Sequence, residues 1–290
     1  MLVPFDNEFQ REARLRQALW RERHGYPIGE HRGWPLGSRL AMPFAKDTLA
    51  NYLTDTIRDV VRVEVLDTKK AEGKLYKEPR IFDDLLSSQP LCFNLFGELQ
   101  QDLGLASGML QLLMSDASLR VTAIEFEHSP GRGDPRFTGD RSAFDVFVVY
   151  STRTLRRAFV GIEVKYVESM DTATARSRPR YEEVADAMEA FRPEHRSRLR
   201  QAPLEQLWRD HLLVGSLALD DDAGFDLGTF VVIHPSGDTI VAKAVEDYRS
   251  CLIEPTSVKA WSLENVVEAI LAAGAGPWAS ELRERYLGGG

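Results

Sequence analysis

The sequence lacks the features that mark several large classes of protein. Cys92 and Cys251 are the only cysteines among 290 residues, and they form neither a disulfide framework nor a zinc-binding spacing. We expect both thiols to be reduced core residues. No run of 18 or more apolar residues appears, and the N-terminal stretch has no apolar core of the kind found in signal peptides. These absences predict a cytoplasmic protein without a membrane span.

Common catalytic motifs are missing as well. The six histidines show no paired spacing such as HExxH. His128 and His211 are expected to be packed or surface histidines, and the alternative is that they border the cleft. There is no Gly-x-Ser-x-Gly elbow, and the glycine-rich stretch 130–139 lacks the Lys-Ser/Thr pair of a phosphate-binding loop. Because these motifs are missing, the sequence does not predict a zinc peptidase, a serine hydrolase or a P-loop enzyme.

Charge is unevenly distributed along the chain. The net charge of −8 argues against a protein that binds any polyanion through charge alone. Between residues 141 and 200, however, 12 basic residues stand against 9 acidic ones. The arginines from 176 to 200 are compatible with two interpretations, a path for a phosphate backbone or an ordinary charged surface.

The order of predicted elements indicates a mixed α/β protein. Apolar spacing predicts a helix over 8–23 and a helix that begins at Asp47. The glycines and prolines between these helices predict a loop over 25–37. A buried helix follows Pro90, and from there the expected order is helix, three strands, helix, strand, helix. We expect residues 1–80 to form an N-terminal helical extension packed on the core, and residues 81–290 to form the core domain.

Two apolar runs carry charges that their setting does not explain. Residues 143–150 and 158–166 flank a short polar connection and read as a hairpin of buried strands. Asp145 interrupts the first run, and Glu163 and Lys165 interrupt the second. Because side chains alternate along a strand, Glu163 and Lys165 share one face, and an antiparallel partner can place Asp145 beside them.

Converging carboxylates favour a bound cation. Two carboxylates in a partly apolar setting repel each other and lose hydration unless a cation joins them. Mg²⁺ prefers oxygen ligands and needs few protein carboxylates, because it keeps waters and binds substrate phosphates. A nearby lysine can then activate water or neutralise a phosphorane, which is the chemistry of phosphodiester hydrolysis. The alternative interpretation is a set of ion pairs on a solvent-facing sheet, which contribute little.

These residues and their order resemble the PD-(D/E)XK nuclease superfamily. Members have a restriction-endonuclease-like αβββαβ core, an acid on the second strand, Glu-x-Lys on the third strand and a glutamate on the first helix. Asp145, the triplet from Glu163 to Lys165, and Glu98 match these positions, and the resemblance covers residues 90–235. Phe144 stands where the pattern has a proline that many members lack. The stretches GDRSAFD and CFNLFG are similar to those of poorly characterised bacterial nuclease-like proteins.

The resemblance implies a set of site residues and a cofactor. Mg²⁺ or Mn²⁺ is expected at Asp145, Glu163 and the Val164 carbonyl, with Glu98 as a further ligand, while Lys165 activates or positions water. An alternative for Glu98 is an exposed helical residue or the partner of an arginine. The residues expected to contact substrate are Gln206, Arg209 and Arg141.

We therefore expect a metal-dependent endonuclease that acts on DNA rather than RNA. The alternative is a catalytically silent module of the same fold that binds nucleic acid or protein. A third hypothesis places the nuclease in a defence or repair assembly, with the N-terminal helices as its docking part. A homodimer is expected only by analogy with endonucleases that cut both strands.

Overall fold

The computed structural model describes residues 3–168, 170 and 178–288. The chain divides into two compact units, and the chain passes between them several times. The first unit contains residues 1–109, 166–168 and 264–290, and the second contains residues 110–165 and 169–263. No helix in the described ranges combines the length and the apolar character that a membrane crossing requires.

Helices and one small hairpin make up the first unit. α1 begins after Asn7, whose side chain accepts a hydrogen bond from the Gln10 N–H. The Gln10 side chain accepts a hydrogen bond from the Asn7 N–H, which completes a capping box. A π-helical turn at Arg62–Leu66 follows α3. α6 starts in this unit and ends in the second one, and α11 begins at the last residue of the second unit. The elements are α1 (Glu8–Arg23), β1 (Ile28–His31), β2 (Trp34–Leu40), α2 (Phe44–Thr48), α3 (Asp55–Val61), α4 (Arg80–Asp83), α5 (Ser88–Gln101), α6 (Leu103–Met114), α11 (Leu263–Ala272) and α12 (Pro277–Tyr286).

The loop predicted over 25–37 is wrong, because most of it forms the antiparallel hairpin of β1 and β2. Both central residues of its turn, Arg32 and Gly33, have positive φ, which matches the right-handed twist of paired strands. Arginine is an unusual residue at the first of these positions, so the turn gives a weak sequence signal. A Cβ at Gly29 would lie 2.2 Å from the Leu40 carbonyl oxygen, so glycine there is required by strand packing.

The single helix predicted from Asp47 is also wrong. Leu49 adopts a left-handed conformation that ends α2, and a second helix begins only after Thr54. The Thr54 hydroxyl accepts a hydrogen bond from the Ile57 N–H at 3.2 Å, which caps α3. Apolar residues recur at helical spacing throughout this stretch, but this spacing does not indicate where the backbone changes direction.

A five-stranded mixed sheet is the centre of the second unit. Its order is β3-β4-β5-β6-β7, antiparallel from β3 to β5 and parallel from β5 to β7. Helices flank the sheet, and α7, α9 and α10 pack against its apolar side chains. The elements are β3 (Arg120–His128), β4 (Phe144–Ser151), β5 (Ala158–Val164), α7 (Pro179–Met188), α8 (Arg196–Leu199), α9 (Leu204–Ala218), β6 (Leu227–His234), α10 (Thr239–Arg249) and β7 (Val258–Ser262).

The central strands are buried on both faces. Every residue of β5 is buried, as expected for a strand with neighbours on both sides and helices above it. Gly161 lies opposite Phe147 in the register, and a Cβ there would lie 2.6 Å from the Phe144 ring. This close approach lets the Phe144 ring cover β5 directly beside Asp145.

Glu168 fixes the chain segment that follows Lys165. Its Oε2 accepts hydrogen bonds from the N–H groups of Tyr166 at 3.1 Å and Val167 at 3.3 Å. Its Oε1 accepts a hydrogen bond from the Ser88 N–H at 2.7 Å and pairs with Arg80. All of these residues belong to the first unit, and the carboxylate fits the N-terminus of α5, where backbone N–H groups lack partners.

Candidate active site

Asp145 and Glu163 meet on neighbouring strands of the second unit. Val146 pairs with Ile162 in the antiparallel register of β4 and β5, so the next position places Asp145 opposite Glu163. The Val164 N–H donates to Asp145 Oδ2 at 2.8 Å, which fixes one oxygen of this carboxylate. The structure therefore brings the predicted acid of β4 to the predicted Glu-x-Lys of β5.

The electrostatic environment of Asp145 is unfavourable for a second negative charge. Burial, the Glu163 carboxylate and, with a smaller effect, the Glu127 carboxylate raise the pKa of Asp145 well above its ordinary value. The hydrogen bond from the Val164 N–H and the charge of Lys165 act in the opposite direction but do not compensate. An added cation would relieve this repulsion, as the convergence of carboxylates in the sequence suggests.

Lys165, Glu163 and Gln206 form a closed triangle of polar contacts. Lys165 Nζ lies 2.8 Å from Glu163 Oε1 and donates to Gln206 Oε1 at 2.9 Å. Gln206 Nε2 donates to the same Glu163 Oε1 at 2.7 Å. Glu163 and Lys165 are only 7% and 6% exposed, so these contacts are shielded from water. Gln206 reaches them from α9, which packs on β6.

Two buried acids on α9 were missed in the sequence. Asp210 and Glu205 are 5% and 3% exposed, and burial raises the pKa of both carboxyls, with the Glu163 charge adding to the effect on Asp210. In the described part of the chain, neither oxygen of Glu205 nor Oδ2 of Asp210 accepts a hydrogen bond. Positions 205, 206, 209 and 210 form a polar stripe with helical spacing on a largely apolar helix, and that spacing was the available signal.

The loop before β4 is held by Asp140. Its carboxylate accepts hydrogen bonds from the hydroxyls of Thr138 at 2.7 Å and Ser142 at 2.8 Å, from the Ser142 N–H at 2.9 Å, and from the Tyr181 hydroxyl. Burial works to raise the pKa of Asp140, but these hydrogen bonds outweigh it and lower the pKa. Asp140 thus shapes the loop that precedes Asp145 and ties this loop to Tyr181 of α7.

The oxygens present fit a hard divalent cation that keeps part of its water shell. Within the described ranges, the hydrogen bonds and the ion pair given above use Asp145 Oδ2 and Glu163 Oε1, and they do not use Asp145 Oδ1 or Glu163 Oε2. The Val164 carbonyl belongs to the residue between Glu163 and Lys165. No group of three or more His, Cys, Asp or Glu side chains in those ranges is arranged to hold a metal. Two carboxylates are sufficient for Mg²⁺, which binds few protein ligands.

Two predicted site residues, Glu98 and Arg209, have partners other than a metal or a substrate, and a third, Arg141, is exposed. Glu98 lies on α5 in the first unit, where the Thr54 hydroxyl donates to it. Arg209 Nη1 lies 3.6 Å from Glu205 Oε1, and its Nε lies 3.9 Å from Asp210 Oδ1. Arg141 is exposed at the entrance to β4. Their roles as metal ligand and substrate contacts stay predictions.

Most described arginines near α7 and α8 serve internal contacts. Arg178 and Arg180 donate to the carbonyls of Gly139 and Phe137, at 2.7 and 2.8 Å. Arg196 and Arg200 pair with Glu182 and Arg192 donates to the Leu252 carbonyl. Arg176 lies outside the described residues. These contacts favour the charged-surface interpretation over a continuous phosphate path.

A family comparison accounts for this arrangement. The model of the PD-(D/E)XK nuclease superfamily matches residues 4–288, which is nearly the whole chain. Searches of curated proteins and of solved structures found no match. The five-stranded mixed sheet flanked by helices is a restriction-endonuclease-like fold, as the family resemblance implied. Members are typically nucleases that use divalent metals, and the chain belongs to the PD-(D/E)XK nuclease superfamily.

Proposed function

We propose that the protein is a metal-dependent endonuclease that acts on DNA. The observation that carries the proposal is the buried Lys165 ammonium, held 2.8 Å from Glu163 on the strand next to Asp145. An isolated surface ion pair would not be shielded in this way. Nuclease membership of the family supports hydrolysis of nucleic acid, while DNA as substrate, internal cutting and the metal requirement are our proposal.

Asp145, Glu163 and the Val164 carbonyl would hold Mg²⁺ or Mn²⁺. When bound, the metal supplies Lewis-acid polarisation of the phosphate and lowers the pKa of a water. In the reaction, a water oxygen bonds to phosphorus, the bond from phosphorus to a sugar oxygen breaks, and the proton of the water ends on that sugar oxygen. Lys165 would orient the attacking water and offset the negative charge on the phosphorane. Glu98, Arg209 and Arg141 stay predicted as a further ligand and as substrate contacts.

The direct test is cleavage by the purified chain. Linear, circular and single-stranded DNA and an RNA are incubated with and without Mg²⁺ or Mn²⁺, and we expect metal-dependent cutting of circular DNA. Asp145→Asn and Lys165→Met should each lower the rate by at least about 10²-fold. Arg153→Met, in the connection between β4 and β5, is the control and should keep the wild-type rate. Equal cleavage by the wild type and both site variants, with all of them folded, would reject the proposal.

A silent binding module of the same fold is the second candidate. The net charge of −8, and the internal partners of most described arginines near α7 and α8, are the observations that favour it. Calorimetry with Mn²⁺ separates the two candidates, because the module predicts no binding up to millimolar metal, whereas the nuclease predicts a site that Asp145→Asn removes. Sedimentation would separately test the homodimer expected by analogy.

A further inference from the structure

Gln206 is placed between two groups that cannot both be satisfied by most side chains. The Lys165 ammonium only donates hydrogen bonds, and the Glu163 carboxylate only accepts them. Gln206 accepts from Lys165 through Oε1 at 2.9 Å and donates to Glu163 through Nε2 at 2.7 Å. A primary amide offers both functions at one end, and this pair of contacts selects a single orientation of that amide.

The position of Gln206 also restricts the Glu163 carboxylate. Oε1 is shared by Lys165 Nζ and Gln206 Nε2, so the carboxylate is held at one oxygen by two donors. The second oxygen, Oε2, is thereby directed away from this pair of donors. Because α9 is a long helix packed on β6, the amide is presented by a rigid element, whereas a loop would allow it to move.

The family resemblance implied that Gln206 contacts the substrate, and the geometry points to a different role. We infer that Gln206 is a positioning residue, which orients Glu163 for metal binding and holds the Lys165 ammonium beside it. It acts through these two side chains and does not touch the substrate. The inference rests on the proposed function, because it assigns a task within that site.

The test uses Gln206→Met, which keeps a similar length but removes both polar contacts. Calorimetry with Mn²⁺ is performed on the full chain without DNA, and single-turnover cleavage is measured over a range of DNA concentrations. We expect Mn²⁺ to bind about 10-fold more weakly and the rate at saturating DNA to fall about 10-fold or more. The KM for DNA should change by less than about twofold, because uniform substrate binding is not removed.

The matched control is Gln201→Met, an exposed glutamine three residues before α9. It should retain the wild-type metal affinity and rate. A direct phosphate contact by Gln206 predicts the opposite pattern, with a raised KM for DNA and unchanged Mn²⁺ affinity in its absence. That pattern, or wild-type values for both quantities, would overturn the inference.

Gln206→Glu keeps the test decisive if the methionine variant does not fold. It preserves the size and the acceptor toward Lys165 but places an oxygen against Glu163 Oε1, where the donor stood. The rate at saturating DNA should fall about 10-fold or more with KM nearly constant, and a wild-type rate would contradict our assignment. A wild-type protein that neither binds Mn²⁺ nor cuts DNA would instead refute the proposed function itself.

Discussion

Acid should destabilise the fold through His211, which is buried in α9. The side chain is 5% exposed, its Nδ1 lies 2.9 Å from the Tyr248 hydroxyl, and its ring stacks on Phe230. Burial lowers the pKa of His211 from 6.5 to about 4. The unfolded chain therefore binds a proton at this residue at a higher pH than the folded chain does.

The sign and size of the effect follow from this shift. The stability that neutral His211 provides is fully present above pH 6.5 and decreases as the pH falls, with the full loss reached below about pH 4. Each pKa unit corresponds to about 1.4 kcal/mol, so lowering the pKa from 6.5 to about 4 corresponds to a full loss of about 3.5 kcal/mol, of which about 3 kcal/mol is lost by pH 4. Asp145 and Asp210 have raised pKa values and act in the opposite direction, so a comparison between variants is required.

The comparison is urea unfolding of the wild type and His211→Gln in metal-free buffer between pH 7.5 and pH 4. Glutamine does not titrate, and its amide can still bond to the Tyr248 hydroxyl. The wild type should lose about 3 kcal/mol more than the variant over this range, because all other titrating groups are shared. Parallel pH profiles for the two proteins would refute the assignment of a neutral, buried His211.

Three further changes have expected effects on stability. Tyr181→Phe removes the hydroxyl that donates to Asp140 and should lower the free energy of unfolding by about 2 kcal/mol, as measured by urea unfolding at pH 7.5. Asp210→Asn removes a buried carboxyl with an unpaired oxygen, so the metal-free protein should gain about 1 kcal/mol in the same assay; a loss would show that the charge is compensated. Gly161→Ala forces a Cβ against the Phe144 ring and should cost about 1 to 3 kcal/mol, with a lower melting temperature in calorimetry, whereas an unchanged melting temperature would mean that the ring moves without strain.

Local patterns in the sequence were enough to predict several elements of the second unit. The apolar, β-branched runs around Asp145 and Glu163 form β4 and β5, and a helix follows the three strands as expected from the order of elements. Alternation along a strand and the 3.6-residue period of a helix act over a few residues, so they are visible without the fold. The family resemblance, carried by a short triplet and one preceding acid, is confirmed over 4–288.

Other features depend on contacts between distant segments. The turn at Arg32 and Gly33 and the helix end at Leu49 require positive φ, and arginine and leucine do not predict this conformation. The partners of Gln206 depend on how α9 packs on the sheet, 41 residues after Lys165. The sequence by itself determined which residue types carry the chemistry, because ionisable groups within apolar strands are costly and therefore conspicuous. Only the tertiary structure decided which oxygen of Glu163 is held and which buried acids surround it, because those contacts join side chains that are far apart in the chain.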